Sequence, residues 1–297
     1  MLKIERILCP VDFSEFSAKA YDYAYSLARR YGAKLFLEHV VQPLTSVYPY
    51  YTFPDSVNQV YSDLNADAEK QLQDWAKKHR WDGVQPDFVV HNGSLAESIL
   101  SFAEKRAVDL IVMGTHGRQG LDRLTMGSVT EKILRKARCP VLAVRKPAHD
   151  FVQLEKPQDP VHLRKILFCT DFSEHAQRAL SYAFSLAMEY NAELTLLHVL
   201  EDISASTDLR GATADAVRQL EKPIPEEARN WCTIWSTVRI GKPYQEIIQL
   251  ALEAQTDLVI LGVQGRNALD LALFGSTTHR VIQLGSCPVL AVHISKP

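Results

Sequence analysis

The sequence predicts an α/β protein of two tandem Rossmann-like domains, each an open five-stranded parallel sheet with helices on both faces. Three observations carry this. Short, wholly apolar runs alternate with amphipathic stretches along the chain, as expected where parallel strands are buried on both sides by crossover helices. The chain repeats itself: Arg6-Ile7-Leu8-Cys9-Pro10-Val11-Asp12-Phe13-Ser14-Glu15 matches Lys165 to Glu174 at an offset of 159, and from Gly93 onward the offset is 148. A glycine-rich loop recurs at one place in each copy. Gly114 and Gly117, then nine residues, then Gly127-Ser128, correspond to Gly262, Gly265, Gly275 and Ser276.

The elements follow in order. Glu5 to Cys9 reads as the first strand. Ser14 is a helix N-cap, and Ala18, Tyr21, Ala24, Tyr25 and Ala28 mark one helical face that Gly32 ends. Strand Lys34 to Val41, a long polar helix from Ser56 to His79, strand Asp87 to Val90, helix Leu95 to Lys105, strand Leu110 to Met113, helix Ser128 to Lys136 and strand Val141 to Val144 complete the first unit. The second runs strand Lys165 to Cys169, helix His175 to Tyr190 and strand Glu193 to Val199. Its second helical region is interrupted near Pro223 and Pro225. Strand Thr233 to Ile240, helix Tyr244 to Ala254, strand Leu258 to Leu261, helix Thr277 to Leu284 and strand Val289 to His293 close it. The expected domains are 1–146 and 162–297, joined by a proline-containing linker at 147–161. The drop in offset falls between Val40 and Gly93, where residues 43–54 form an aromatic, proline-rich insertion with Tyr48, Tyr50, Tyr51 and Phe53. That insertion reads either as a lid packed on the domain or as a partner contact or flap.

Composition excludes several classes. The 297 residues are 46% hydrophobic and 23% charged with a net charge of -2, so no basic field for nucleic acid is expected. No apolar run nears the roughly 20 residues that span a bilayer, and the first residues lack a signal-peptide apolar region. The expectation is a cytoplasmic protein. Five cysteines, an odd number with no Cys-x-x-Cys, point to buried reduced thiols. Ten histidines show no metal-ligand spacing. His39 and His198, at equivalent places on strand 2, suggest hydrogen bonding, while His116 could touch an anion or simply be exposed.

In an open α/β sheet a ligand sits beyond the strand C-termini where strand order reverses. With strands 1 and 4 adjacent there, Asp12 faces Gly114-Thr115-His116-Gly117. An aspartate can accept from a sugar hydroxyl or a base amino group. Glycines let backbone N–H groups approach an anion. Gly127-Ser128 adds a hydroxyl and a helix N-terminus. A lone Gly-x-x-Gly is usually only a tight turn; two copies with equal spacing and an Asp after strand 1 read as a phosphate cradle. There is no Gly-x-x-x-x-Gly-Lys-Ser/Thr and no Gly-x-Gly-x-x-Gly. No nucleophile paired with a base stands out, so a bound triphosphate would be hydrolysed slowly at most.

Taken with the opening Ile-Leu-Cys-Pro-Val-Asp-Phe-Ser and the closing Cys-Pro-Val-Leu-Ala-Val, the two glycine signatures resemble those of the ATP-binding universal stress proteins, over nearly the whole chain. The resemblance implies an adenine nucleotide alpha hydrolase-like fold. It implies that Val11 and Asp12 contact ribose and adenine, that the Val40 backbone meets the adenine, that Gly114 lies near the ribose, and that Gly117, Gly127, Ser128 and Val129 bind phosphates carrying Mg2+. In the second domain the matching residues are Thr170, Asp171, Val199, Gly262, Gly265, Gly275, Ser276 and Thr277. The family pairs domains through their last strands, which implies an internal pseudo-dimer, with a homodimer of chains and an unidentified signalling protein as further partners. A nucleotide-dependent stress sensor is the leading reading; a slow ATPase or adenylate-using enzyme, and a nucleotide-free interaction module, are the alternatives. From Gly114 to Val144, 14 of 31 positions match the second copy. The first copy keeps Gly120, Arg123 and His116 where the second has Ala268, Leu271 and Gln264, so the first site is expected to bind triphosphate more tightly.

Overall fold

A computed structural model describes residues 2–42, 57–78, 83–116, 126–145, 150–152, 161–201, 208–263 and 275–293. The first domain runs β1 (Arg6–Pro10), α1 (Glu15–Tyr31), β2 (Lys34–Val41), α2 (Val57–Lys78), β3 (Asp87–Asn92), α3 (Leu95–Lys105), β4 (Leu110–Gly114), α4 (Ser128–Lys136) and β5 (Val141–Val144). The second runs β6 (Lys165–Cys169), α5 (Glu174–Tyr190), β7 (Glu193–Leu200), α6 (Leu209–Glu221), α7 (Glu226–Trp231), β8 (Ile234–Ile240), α8 (Pro243–Glu253), β9 (Leu258–Gly262), α9 (Ser276–Leu284) and β10 (Val289–Val292). The helical region that Pro223 and Pro225 were expected to interrupt is indeed divided, into α6 and α7. The aromatic insertion lies outside the described residues.

The ten strands among the described residues form one sheet in the order β3-β2-β1-β4-β5-β10-β9-β6-β7-β8. Every pairing within a domain is parallel, and the two domains join where β5 meets β10 antiparallel. The register there sets Leu142 opposite Leu290, Val141 opposite Ala291 and Ala143 opposite Val289. Those pairs are symmetric under the 148-residue offset, so a pseudo-twofold axis passes through Leu142 and Leu290. The expected pairing of the last strands is present. His293 Nε2 donates to Leu134 O across the junction at 2.6 Å, and Arg145 Nη1 donates to Gln283 O.

Two apolar layers cover the sheet. One packs α1, α2, α5, α6 and α7 against side chains such as Ile7, Leu35, Val112, Phe168 and Leu194. The other packs α3, α4, α8 and α9 against Leu8, Phe36, Ile111, Leu167 and Val259. Strands β4 and β9, apolar in sequence, are buried on both faces up to their terminal glycines. The helix signals also hold. Ser14 Oγ accepts from Ser17 N, and Gly32 closes α1 in the left-handed region (φ 62°). In α5, Ser173 and Asn191 take the same roles.

The proline-containing stretch between the domains contributes to the core, which sequence reading did not anticipate. Val152 and Val161 form an antiparallel bridge, His162 N donates to Phe151 O at 2.6 Å, and Phe151, Val152, Val161 and Leu163 are all buried. At the opposite end of the strands from the glycine loops, Asp109 Oδ2 accepts from Glu5 N (2.8 Å) and Arg6 N (2.9 Å). Asp257 does the same for Arg164 and Lys165. These carboxylates tie the start of the first strand to that of the fourth in each domain. Asp109→Ala leaves two amides without that acceptor and is expected to cost about 1–2 kcal/mol, read as a lower urea midpoint with an unchanged slope.

Candidate functional site

Strands β1 and β4 are neighbours, with β2 and β3 leading away on one side and β5 on the other. The strand order therefore reverses between them, as the ligand rule requires. After Pro10 the chain stays pinned to β2, since Val11 N donates to Glu38 O at 2.8 Å. Asp12 Oδ1 then accepts from Ser14 N (3.1 Å) and Ser14 Oγ (2.6 Å). In the second domain Thr170 N donates to Leu197 O at 2.9 Å, and Asp171 Oδ1 accepts from Ser173 N at 3.0 Å. Each aspartate thus uses one carboxylate oxygen to shape the turn into the following helix.

Between aspartate and cap, Phe13 and Phe172 sit in the left-handed region, with φ of 63° and 62°. Such a conformation costs a bulky residue on the order of 1 kcal/mol. Both domains keep it, and in both a histidine supports it. The Phe13 ring lies 4.6 Å from that of His39, and Phe172 lies 4.3 Å from His198. His39 Nδ1 bonds Val11 O at 2.8 Å and His198 Nδ1 bonds Thr170 O at 2.8 Å. A carbonyl can only accept, so Nδ1 carries the proton in both rings. The hydrogen-bonding role expected of His39 and His198 is what the geometry gives them.

The other wall is the end of β4. Thr115 N donates to Val144 O (3.0 Å) and Gly127 N to Thr115 O (2.9 Å). Thr130 Oγ1 donates to Gly114 O at 3.0 Å. In the second domain Val263, Gly275, Thr278 and Gly262 repeat the pattern at 3.0–3.1 Å. Both ends of the glycine loop are therefore fastened together, and the N-terminus of α4 or α9 is set over the strand end. Thr130 and Thr278 escaped sequence reading; the signal was a threonine two residues after Gly-Ser in both copies. The interiors of the loops, with Gly117, Gly265, Arg118, Arg123, Arg266 and Gln264, lie outside the described residues.

The described glycines are not equivalent. A Cβ on Gly114 would stand 2.9 Å from the backbone C and O of Phe16, and one on Gly262 3.1–3.2 Å from the backbone of His175 and Ala176. Those glycines let the first helix of each domain rest on the strand end, a packing reason independent of ligand. Gly114→Ala is expected to cost about 1–3 kcal/mol through forced displacement of that backbone, read by thermal unfolding. Gly127 differs. Its φ of -62° suits any residue, and among the described residues a Cβ there would meet nothing nearer than Thr115 O at 3.4 Å. Gly127 and Gly275 are N-caps without a side-chain hydrogen bond, so neither offers a side chain to the first-turn amides of α4 and α9.

Nearby side chains complete the picture. Val11, Val40 and Val199 are buried. His116 is also buried, its ring 5.0 Å from Phe16 and its Nδ1 2.8 Å from Thr115 Oγ1. The idea that it is exposed is corrected: the Phe16 ring draws it under α1. The five cysteines are free. Burial pushes the thiols of Cys139 and Cys287 up to about 12, which leaves them protonated at neutral pH. Among the described residues no group of three His, Cys, Asp or Glu side chains could hold a metal, and no helix is long and apolar enough to cross a membrane.

The class these features define is a duplicated α/β sandwich with a glycine-ended strand and an uncapped helix start at each switch point. The model of the universal stress protein family matches residues 3–145 and again 162–293, and the chain belongs to that family as a tandem, two-domain member. It is 25% identical over 300 residues, 96% of each chain, to a universal stress protein of Mycolicibacterium smegmatis. A universal stress protein of Methanocaldococcus jannaschii is 34% identical over 148 residues, covering 48% of this chain and 83% of that one. The crystal structure of a universal stress protein from Archaeoglobus fulgidus covers 97% of this chain and 96% of its own, with TM-score 0.66 and 22% identity, a likeness of fold.

Proposed function

We propose that the chain binds ATP at the switch point of its first domain, and more weakly at that of its second, and acts as a nucleotide-dependent stress-response sensor or regulator. The observation that carries this reading is Gly127. Neither its backbone conformation nor its described neighbours require a glycine, yet both copies of the loop have one at this place. A ligand lying against the backbone supplies the reason.

In this reading the triphosphate rests on the amides of Gly127, Ser128 and Val129, with the Ser128 hydroxyl and the positive end of α4 beside it. Gly117 contributes from the loop, and Asp12 and Val11 take the ribose and adenine edge beside Val40. Thr170, Asp171, Val199, Gly262, Gly265, Gly275, Ser276 and Thr277 repeat the arrangement in the second domain. The donors fit a nucleotide better than a free cation. Mg2+ would be carried on phosphate oxygens with Ser128 beside them, where it offsets phosphate charge. The described residues place no base against an attacking water: the turn at Ser14 occupies Asp12 Oδ1, and Val11 O occupies Nδ1 of His39. Retention and slow release of intact nucleotide suit a sensor whose bound state is read by a partner. The homodimer, the signalling partner and the cytoplasmic setting belong to the same reading, as do the domain limits 1–146 and 162–297.

The test is to heat-denature freshly purified protein and identify the released nucleotide by chromatography. Intact ATP approaching one equivalent per chain supports the sensor. Steady phosphate release on added ATP, abolished in Gly127→Ala, would favour the slow ATPase. A nucleotide-free supernatant that stays free after incubation with ATP would leave only the interaction module.

A further inference from the structure

The sheet ends on β3 at one side and on β8 at the other, and the duplication makes each edge a control for the other. Strand register sets Asp87 opposite Phe36 and Trp235 opposite Thr195, which are equivalent under the 159-residue offset. Trp235 therefore stands where β3 begins with Asp87, and Ile240 where β3 ends with Asn92. Asp87 is tied to Lys34 at 2.6 Å, and charges on an edge strand discourage pairing with another chain. β8 lacks that guard. The one charge in it, Arg239, is drawn toward α8 by Glu246 (3.6 Å) and Glu253. Trp235 is 55% exposed and Ile240 52%, and Trp231, just before the strand, is 62% exposed. They are three of the seven large apolar side chains exposed among the described residues. The strand is seven residues long, without proline or glycine, and rich in strong β-formers.

The backbone of β8 is set to receive a further strand. Leu194 N donates to Thr233 O at 2.8 Å, and Gly241 N donates to Leu200 O at 3.0 Å. In a parallel ladder these bonds turn the odd-numbered residues of β8 toward β7. The N–H and C=O groups of Ile234, Ser236, Val238 and Ile240 then face outward. Side chains alternate between the two faces. Ile234 and Val238 pack on one apolar layer, and Trp235, Thr237 and Arg239 share the face of α8.

We propose that two copies of the chain join edge to edge through β8, paired antiparallel about Thr237. The strand is self-complementary in that register. Ile234 meets Ile240 of the other copy and Ser236 meets Val238, as hydrogen-bonded pairs that use the outward amides and carbonyls. Thr237 meets Thr237, and Trp235 meets Arg239, as the closer pairs without hydrogen bonds. Apolar, Thr–Thr and aromatic–cation pairs each stabilise a sheet when directly opposed. The contact takes Trp235 out of water and closes on itself as a twofold dimer. It is small beside the roughly 1,600 Å² of a standard interface, so a micromolar dimer is expected rather than an obligate one. This gives the homodimer of the proposed function its surface.

Sedimentation of the full chain over about 1–100 μM, with no nucleotide added, is the test, so the outcome is independent of the ATP reading. The expected result is a dimer whose dissociation constant rises at least tenfold in Trp235→Asp, which copies the charge of β3. Val238→Pro, which removes an outward amide where an edge strand tolerates proline, should act likewise. Thr237→Cys should give disulfide-linked dimers on mild oxidation, since facing residues of such a pair lie about 4.5 Å apart at Cα, within disulfide reach. Val89→Cys, at the equivalent place on β3, should not. A chain that stays monomeric overturns both the homodimer and this surface. A dimer that Trp235→Asp leaves unchanged and Thr237→Cys does not cross-link keeps the homodimer and overturns the surface. Growth beyond the dimer also overturns it, because β8 would then be pairing with the unlike edge β3 in an open array. Trp235 is exposed, so Trp235→Asp decides the matter even if Val238→Pro fails to fold.

Discussion

Gly127→Ala is expected to weaken ATP binding at least tenfold, about 1.4 kcal/mol, while leaving the protein as stable as before to within about 1 kcal/mol. The two halves of that result have separate causes. The methyl group would project from the N-cap toward the space proposed for the phosphates, so it displaces the anion from the amides of α4. Within the described protein it meets Thr115 O only at van der Waals distance, and the backbone at φ -62° accommodates alanine without strain. Alanine is the poorer N-cap, but it also lowers the entropy of the unfolded chain, and these effects oppose each other. Equilibrium dialysis and thermal unfolding on one preparation measure both. Gly275→Ala should cost less ATP than Gly127→Ala, because Arg123 and Gly120 belong to the first loop only. A greater loss from Gly275→Ala would reverse the ranking of the sites.

Replacing Glu38 by leucine should stabilise the protein by a few kcal/mol above pH 8 and have little effect near pH 5. Glu38 is 1% exposed on β2, and neither carboxylate oxygen has a hydrogen-bond partner among the described residues. His91 Nε2 stands 3.7 Å away, and burial, with Lys105 and Arg106 nearby, lowers the pKa of that imidazole. Burial pushes the Glu38 carboxyl up to about 8 from an ordinary 4.5. The folded state therefore holds a proton that the unfolded chain gives up. Between those two values unfolding releases it, so stability falls as pH rises and the loss is complete above the folded value. Each unit of difference is worth about 1.4 kcal/mol. The second domain has Leu197 at the equivalent place, also 1% exposed, so leucine fits such a site. Urea unfolding from pH 5 to 9 should show the native chain losing stability relative to Glu38→Leu; parallel curves would mean that Glu38 does not titrate with folding.

Much of the fold was legible because its signals were local. Most strands and helices appear within two residues of the limits the sequence suggested, since apolar runs, the Ser14 and Ser173 caps and Pro223 act on their own neighbourhoods. The adjacency of β1 and β4 is the usual strand order of an open α/β sheet, and the pairing of β5 with β10 followed from the family resemblance. What stayed hidden depends on contacts distant in sequence. Nothing in a proline-containing linker announces that Phe151 packs on Tyr23. Nothing in the alternation of β2 announces that Glu38 points into an apolar layer. The strain at Phe13 and Phe172 is carried by histidines 26 residues further on. At the site, Gly114 and Gly127 look alike in sequence. Only packing separates the one needed for the helix from the one left to a ligand.

The central claim is that a triphosphate sits on the start of α4 beside the end of β1. The most direct measurement is the electron density of crystals grown with ATP and Mg2+. Phosphate oxygens are expected within hydrogen-bonding distance of the Ser128 and Val129 amides and adenine beside Val40, with lower occupancy at Ser276 and Thr277. Empty crevices at saturating ATP, or nucleotide bound away from both switch points, would contradict it.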